Sequence, residues 1–180
     1  MLKTAISTIA AVGAFIVGSS VASSDVAQAP VLTGKMADQK YLIGTWSCTT
    51  KLAATSNMPS QTIAARVVYW TEPQNVIASY YNSKSYSASS YMGWMTAKKL
   101  WWSNGADMFG GIDFQTGKDS GTNVREMTGT SWYQGKASTT RDTVTKISDT
   151  TYQDAFEAIQ GDKVTFQGTA TCAKTSAKTM

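Results

Sequence analysis

From residue 42 to residue 173, the chain is a series of short segments in which apolar and polar residues alternate. These segments are rich in Val, Ile, Thr, Tyr, Phe and Trp, and turn-forming residues separate them. Such alternation indicates β-strands with one buried face. The pattern predicts strands at residues 42–51, 61–71, 75–82, 85–95, 97–103, 106–114, 122–133, 138–148, 151–159 and 162–173.

The connections between these strands are predicted to be short. Asn104-Gly105 suits the positive φ angles of a type I′ hairpin turn, and residues 117–121 are predicted to form a longer polar loop. Tight turns join antiparallel strands, and closing such a meander removes its exposed edges. We therefore expect an all-β fold, a closed up-and-down antiparallel barrel of about 8–10 strands. A short helical turn at residues 36–42 is expected before the first strand.

The two cysteines, Cys48 and Cys172, lie in the first and last predicted strands. A disulfide between them requires Cα atoms within about 7 Å, so the two terminal strands would be neighbours. Alternation places Cys48 on the same face as Trp46, and Cys172 on the same face as Phe166. Both faces are apolar and are predicted to point to the core. An immunoglobulin-type sandwich is the alternative fold, although its bridge spans far fewer residues and joins interior strands.

The N-terminal residues have the order of a secretory signal peptide. Lys3 precedes an apolar run at residues 5–18, which is shorter than the about 20 residues of a membrane span, and small residues follow it. Cleavage is predicted after Ala22 or after Ala29. A retained N-terminal anchor is the alternative interpretation.

The chain is therefore divided into a signal peptide at 1–22, a flexible leader at 23–40, a barrel domain at 41–174 and a C-terminal tail at 175–180. No transmembrane span is expected in the mature chain. An exported protein of this kind is secreted or periplasmic. It enters an oxidising compartment, where two cysteines form a structural disulfide by default.

The composition excludes several classes of site. The chain has no His, which is the most common metal ligand and the usual general base near neutral pH. Two cysteines cannot supply the four ligands of a zinc site, and no nucleophile elbow or phosphate-binding Gly-rich loop is present. The 16 Lys and Arg exceed the 12 Asp and Glu by four charges, but they are scattered, unlike those of a nucleic-acid binder. We expect no catalytic residue, metal site, cofactor or nucleic-acid partner.

Gly44-Thr45-Trp46, at the start of the first strand, resembles the G-x-W signature of the lipocalin or calycin group. The arrangement from Gly44 to Lys174 is similar to lipocalin-like domains of uncharacterised exported bacterial proteins. This resemblance implies that Trp46 plugs the closed end of the barrel. Lipocalins pair that Trp with an Arg late in the chain, whereas the last Arg here is Arg141. The nitrobindin branch of such barrels holds haem through a His, so haem binding does not extend to a chain without His.

A barrel of about eight strands is just filled by side chains or holds one small ligand, and additional strands widen it. Aromatic and Arg side chains are the candidate ligand contacts, because small-molecule pockets are aromatic-lined and contain a few placed polar groups. The candidates are Arg66, Tyr80, Trp94, Trp102, Arg125, Trp132, Arg141 and Tyr152. The alternatives are that the aromatic residues fill the core and that the arginines form structural ion pairs or face solvent. In Arg125-Glu126 and Arg141-Asp142 the two charges point to opposite faces, so either pair can place one charge in the interior.

The expected function is that of an exported, non-catalytic binding protein with a small apolar or amphipathic molecule inside the barrel. The alternative is an envelope-associated structural or protein-interaction module without a ligand. Trp101 and Trp102 are adjacent and cannot both face the core, so one of them is a candidate surface contact. Hydrolysis by carboxylates ranks last, since it needs two acidic side chains that converge in a cleft. A solid barrel interior would refute the binding function.

Overall fold

The structure is a computed structural model that describes residues 30–55 and 58–175. A 3₁₀ helix, Gly34–Leu42, precedes ten strands. The strands are β1 (Gly44–Leu52), β2 (Gln61–Glu72), β3 (Val76–Ser83), β4 (Ser87–Met95), β5 (Leu100–Asp107), β6 (Ile112–Gly121), β7 (Val124–Tyr133), β8 (Lys136–Ser148), β9 (Thr151–Gln160) and β10 (Lys163–Lys174). Each strand pairs antiparallel with its sequence neighbours, and β1 pairs with β10, which closes the barrel. The predicted fold class is confirmed.

The disulfide joins the two strands that close the barrel. Cys48 of β1 lies directly opposite Cys172 of β10, and the two form a disulfide with a Cα–Cα distance of 4.1 Å. Both side chains are buried in the interior, as are Trp46 and Leu52 on the same face of β1. The predicted bridge and the predicted orientation of its strands are thus confirmed.

Two of the predicted connections lie inside strands. Asn104-Gly105 belongs to β5, and Gly117–Gly121 is the second half of β6. Gly105 leaves room for the Asp113 carboxylate of the neighbouring strand, and a Cβ at Gly117 would overlap the carbonyl oxygen of Glu126. These glycines are therefore needed for close approach of side chain and backbone within the sheet, not for turns.

The turn between β5 and β6 is formed by residues 108–111 instead. The Asp107 carboxylate accepts hydrogen bonds from the backbone N–H groups of Phe109 and Gly111, at 2.8 and 2.9 Å. Gly110 adopts a φ of 81°. The side chain of Asp107 thus organises the turn, as Asp residues often do.

Part of the segment assigned to a flexible leader, from Leu32 onward, is packed against one end of the barrel. Leu32 and Met36 are buried against Trp101 and Ile77, and the Thr33 backbone exchanges two hydrogen bonds with the Asn75 side chain. The Ser- and Ala-rich composition of this segment predicted flexibility. Its apolar contacts and its backbone hydrogen bonds instead hold residues 32–36 against the barrel. The predicted signal peptide, its cleavage sites, residues 23–29 and the tail from residue 176 lie outside the described residues.

The 3₁₀ helix and Trp46 close this end of the barrel. Trp46 is fully buried, and its Nε1 donates a hydrogen bond of 2.6 Å to the carbonyl oxygen of Leu42. Lys174 of β10 lies over the Trp46 ring, 5.5 Å from its centroid, and donates to the carbonyl oxygen of Tyr41 at 2.8 Å. A Lys late in the chain thus supplies a cation over this Trp. The opposite, open end carries the turns at residues 84–86, 108–111, 134–135 and 161–162.

The outer wall of the barrel has two different sides. On β2 to β7 the outward positions form two rows across the strands and expose Trp70, Tyr80, Tyr91, Ile112, Phe114 and Trp132. Each of the six side chains is 39–54% exposed. Because β2 and β7 lie on opposite sides of the ten-strand barrel, only the side chains on β4 to β7 point to a common side, and they form an aromatic face of Tyr91, Ile112, Phe114 and Trp132. The outward positions of β9, β10 and β1 instead carry mostly Ser, Thr, Gln and charged residues. Within residues 30–55 and 58–175, no helix has the length and apolar character of a membrane span.

Candidate binding site in the barrel interior

The barrel encloses a cavity of about 140 Å³ above the closed end. Its apolar lining comes from Leu42, Ile77, Met92, Met127 and Val144. Its polar lining comes from Tyr69, Ser79, Ser90, Ser103, Gln115, Arg125, Asp142, Tyr152 and Asp154. The interior is therefore neither solid nor purely apolar.

Three charged residues reach the cavity from three neighbouring strands. In the register of β7, β8 and β9, Arg125, Val144 and Asp154 form one row, and Asp142 lies one inward position further along β8. Val144 therefore separates the base of Arg125 from that of Asp154. Opposite charges line the same cavity without direct contact.

Arg125 is buried, at 9% exposure, and holds a position between the cavity and the 3₁₀ helix. One terminal nitrogen donates a 3.0 Å hydrogen bond to Gln39, and the guanidinium lies 5.2 Å from the centroid of Trp101. Its Nε has no hydrogen-bond partner among the described residues, and none of their carboxylates forms an ion pair with it. Burial lowers the pKa of Arg125 from its ordinary value, but an arginine stays protonated in proteins.

Asp142 and Asp154 hold their protons more tightly than ordinary aspartates. Burial raises the pKa of Asp142 to about 6, although the hydrogen bond of 2.7 Å that Gln115 donates opposes the shift. Burial, reinforced by the charge of Asp142, raises the pKa of Asp154 to about 7. One carboxylate oxygen of Asp154, Oδ1, is buried without a partner among the described residues.

Gln115 reaches its two partners because of a glycine. It lies on β6, opposite Gly129 of β7, and Gly129 lies opposite Thr140 of β8. The missing side chain of Gly129 lets the Gln115 amide extend across β7 to Thr140 and Asp142, at 3.1 and 2.7 Å. The glycine thus allows one wall of the cavity to be polar.

Two tyrosines complete the wall on the other side. The hydroxyl groups of Tyr69 and Tyr152 are 2.8 Å apart, and the Tyr152 ring packs edge-on against Trp46. Burial raises the pKa of Tyr69 to about 12 and also raises the pKa of Tyr152. Both tyrosines are therefore neutral hydrogen-bonding groups at physiological pH.

Aromatic residues lead from the cavity to the open end. Tyr86 lies between Tyr81 and Phe109, with ring centroids 5.7 and 6.2 Å away.

Burial raises the pKa of Asp113, which also lies toward the open end, and the nearby charge of Asp107 adds to this effect. No group of three or more metal-ligating side chains occurs among residues 30–55 and 58–175.

Two of the eight candidate ligand contacts, Arg125 and Tyr152, line the cavity. Trp94 faces the interior but packs against Trp101, 5.0 Å between ring centroids. The side chains at the other five positions belong to the outer face of the barrel: Arg66, Tyr80, Trp102, Trp132 and Arg141. Their strands place the neighbouring residues inward, so these five do not contact the cavity.

The adjacent charge pairs each place one member inside, as alternation requires. Arg125 faces inward and Glu126 outward, whereas Asp142 faces inward and Arg141 outward, paired with Glu157 at 3.0 Å. Of the two adjacent tryptophans, Trp101 is fully buried and Trp102 lies on the outer wall above Gly93.

The sequence reasoning missed Asp154, Gln115 and Tyr69 as site residues. Asp154 shares a strand face with Tyr152, so strand parity contained the signal. Gln115 carried no such signal, because it was predicted to follow the end of its strand, whereas β6 extends to Gly121.

A second, more open depression of about 460 Å³ lies on the outer wall of β5 to β8. Lys118, Glu126 and Arg141 contribute to it. It is open to solvent, and Asp142 borders it from the inner side.

No protein-family model matches the chain, and no curated protein does. Among solved structures, the chain is similar to the crystal structure of Rv2717c from M. tuberculosis, with a TM-score of 0.61 and 12% sequence identity. The match covers 81% of this chain and 100% of that one. At this identity the similarity concerns the fold alone.

Proposed function

We propose that this protein is an exported, non-catalytic binding protein that holds a small amphipathic molecule inside its barrel. The observation that carries the proposal is a pair of unsatisfied groups at one cavity. Arg125 Nε and Asp154 Oδ1 are both buried without a partner among residues 30–55 and 58–175. Buried polar atoms normally have partners, and an unpaired one is costly, so a bound molecule would relieve both.

The size of the cavity limits the ligand. A dry engineered cavity of about 150 Å³ admits benzene, so a volume of about 140 Å³ suits a molecule of roughly six to eight non-hydrogen atoms. Leu42, Ile77 and Val144 would contact its apolar part, and the charged residues would contact its polar part. This mixed lining favours an amphipathic ligand over a wholly apolar one.

The second candidate function is hydrolysis catalysed by two carboxylates. One observation supports it, because Asp142 and Asp154 line the same cavity. Glycoside hydrolysis requires two carboxylates that flank a scissile bond, with sugar rings on both sides of it. A cavity of about 140 Å³ has no room for two sugar rings. The geometry therefore favours binding.

The test is native mass spectrometry of protein purified from its source, together with a variant whose cavity is filled. Ser90 lines the cavity, whereas Ser89 is exposed on the outer face of the same strand. We expect a small bound molecule in the unaltered protein and in Ser89→Phe, and none in Ser90→Phe. Retention of the molecule by a folded Ser90→Phe variant would contradict binding in this cavity, as would ligand-free protein from the source.

A further inference from the structure

We infer that the ligand is a small primary amine, bound as its ammonium ion by Asp142 and Asp154. This inference rests on the proposed function and names the chemical class of the ligand. It follows from the balance of charges at the cavity and from the positions of the hydrogen-bond acceptors.

The cavity contains two carboxylates and one guanidinium. With both aspartates ionised, the lining has one excess negative charge, which is costly in a buried site. An ammonium ion supplies the missing positive charge. An anionic ligand would instead leave the site with two excess negative charges.

The acceptors are arranged for a donor-rich group. Asp154 Oδ1 is buried without a partner among the described residues, and Asp142 receives a hydrogen bond from Gln115 through its Oδ2. An ammonium group has three N–H donors and no acceptor, so it matches carboxylate oxygens. The aliphatic chain of the amine would contact Leu42, Ile77 and Val144.

The ammonium ion competes with a proton for the same carboxylates. The pKa values of Asp142 and Asp154 are raised to about 6 and about 7, so the pair retains one proton below about pH 7 and a second below about pH 6, and the amine must displace them. The other titratable or charged groups that face the pair are Tyr41 of the helix, Tyr69 of β2, Asp113 of β6, Arg125 of β7 and Tyr152 of β9. Tyr41, Tyr69 and Tyr152 have raised pKa values and are neutral in this range, and Arg125 keeps its charge.

The experiment compares three probes with the same five-carbon chain: pentylamine, 1-pentanol and pentanoate, titrated calorimetrically into the full protein. At about pH 8 we expect pentylamine to bind at least about tenfold more tightly than 1-pentanol, and pentanoate to bind most weakly. The affinity for pentylamine should fall by up to about tenfold per pH unit between about pH 7 and pH 6, and more steeply below about pH 6. Equal or tighter binding of 1-pentanol or pentanoate in the cavity would overturn the amine inference but leave the binding function intact. Binding of none of the three, with no native ligand found, would overturn both.

A pair of variants on β9 checks the location. Asp154→Asn removes a charge from the cavity, and Glu157→Gln removes one from the outer face of the same strand. We expect the preference for pentylamine over 1-pentanol to disappear in Asp154→Asn and to persist in Glu157→Gln. An unchanged preference in folded Asp154→Asn protein would exclude Asp154 as the acceptor.

A second, independent inference concerns the aromatic face on the outer wall. We propose that this face docks on the surface of an anionic phospholipid bilayer. On β4 to β7, Tyr91 and Phe114 lie in one row across the strands, and Ile112 and Trp132 lie in the other. Trp and Tyr are the residues that concentrate at membrane–water interfaces, where their rings are half in contact with lipid.

Basic residues lie beside the aromatic face. Lys98 and Lys99, on the turn between β4 and β5, and Lys118, on an outer position of β6, compare with one acid, Glu126 of β7. None of these three basic residues forms an ion pair with another part of the described chain. The face thus carries an excess of positive charge beside its aromatic residues, which complements anionic headgroups.

The same charges argue against two other occupants. A second copy of the chain would bring two like-charged faces together, and like charges across an interface are costly. Protein interfaces are enriched in Arg and depleted in Lys, whereas all three basic residues beside this face are Lys. A lipid surface fits both observations.

The test is co-sedimentation of the full protein with phosphatidylcholine vesicles, with or without phosphatidylglycerol. We expect binding only to the anionic vesicles, and loss of binding near 1 M salt, where the screening length is about 3 Å. Tyr91→Ser with Phe114→Ser should weaken binding, as should Lys98→Glu with Lys99→Glu. The matched reversal on the polar side of the barrel, Lys51→Glu with Lys163→Glu, should have little effect. Equal binding to both vesicle types, no binding to either, or a dimer that Tyr91→Ser dissociates would overturn the proposal.

Discussion

At the scale of single residues, the interior of this barrel contains charges that the fold does not neutralise. Asp154 is held close to an arginine without contacting it, in a position where an apolar residue would be easier to accommodate. Such groups reduce the stability of the folded state and mark sites where a protein interacts with something else. Their effect on stability depends on pH.

Asp154→Asn is predicted to stabilise the protein at neutral and alkaline pH. The pKa of Asp154 rises from an ordinary 3.8 to about 7 in the folded state. A raised folded-state pKa stabilises the protein fully below about pH 4, and this contribution is lost as the pH rises through about 7. Asn cannot ionise, so the variant should be more stable than the unaltered protein by roughly 2–4 kcal/mol at about pH 8. Urea unfolding at about pH 5 and pH 8 measures this, with Glu157→Gln as the control. Equal pH dependence in both proteins would contradict it.

Lys174→Met is predicted to loosen the closed end of the barrel. Lys174 contacts the Trp46 ring and holds the Tyr41 carbonyl, so its loss removes one cation–π contact and one charged hydrogen bond. We expect a loss of about 1–2 kcal/mol in the free energy of unfolding and faster hydrogen exchange in the 3₁₀ helix. Lys163→Met, at the exposed start of the same strand, should change neither. Unaltered exchange of the helix amides in Lys174→Met would show that the helix is held by other contacts.

At the scale of strands, Gly129 of β7 allows close approach of β6 and leaves space for a side chain to cross from β6 to β8. A Cβ at Gly129 would overlap the carbonyl oxygen of Phe114, and Gln115 passes over the same position to reach β8. One small residue thus permits both the β6–β7 pairing and the polar wall of the cavity.

Gly129→Val is therefore predicted to be destabilising, even though Val is a good strand former. Overpacking of a closely approached position costs about 1–3 kcal/mol, and displacement of Gln115 should alter the titration of Asp142. Thermal unfolding and NMR titration of the Asp142 carboxyl measure the two effects. Thr130→Val, at the next position of β7, faces the outer wall and should be close to neutral. A Gly129→Val variant as stable as the unaltered protein would contradict the role assigned to this glycine.

Eight of the ten strands were predictable from the sequence to within two residues at each end, because alternation is a direct consequence of strand geometry. The strands predicted at 97–103 and 106–114 were placed too early, because β5 is Leu100–Asp107 and β6 is Ile112–Gly121. The connections were less predictable. Asn104-Gly105 has the composition of a tight turn, but Gly105 leaves space for the Asp113 carboxylate of the neighbouring strand. That contact is tertiary and is not visible in the local sequence. Composition alone did not show which of the three arginines, Arg66, Arg125 or Arg141, faces the barrel interior. Only the observed register shows that Arg125 faces the cavity and that Arg66 and Arg141 do not.

At the scale of the whole molecule, the barrel is closed by a backbone ladder and by one covalent bond at the same seam. β1 and β10 pair along seven residue positions from Trp46 to Leu52, and Cys48 with Cys172 is the third of these pairs. The backbone ladder specifies the closed arrangement, and the disulfide restricts how far it can open.

Replacement of both cysteines, as Cys48→Ser with Cys172→Ser, is predicted to lower stability without changing the fold. A bridge over 124 positions restricts the unfolded chain by an entropy worth about 5 kcal/mol at most, which strain and residual structure reduce. We expect a loss of about 2–4 kcal/mol in urea unfolding, with an unchanged far-UV circular dichroism spectrum. Loss of the β-sheet spectrum would mean that the ladder between β1 and β10 is insufficient to close the barrel.

The seam also determines when the protein is able to fold. Every other strand pair joins sequence neighbours, but the closing pair connects residues near opposite ends of the chain. Contacts between distant segments form slowly, because the chain must lose much of its freedom before they form. Until β10 has been synthesised, β1 keeps an unpaired edge of the kind that aggregates. The barrel is therefore a product of the finished chain, and a C-terminal truncation that removes β10 should accumulate as aggregates with no smaller folded barrel.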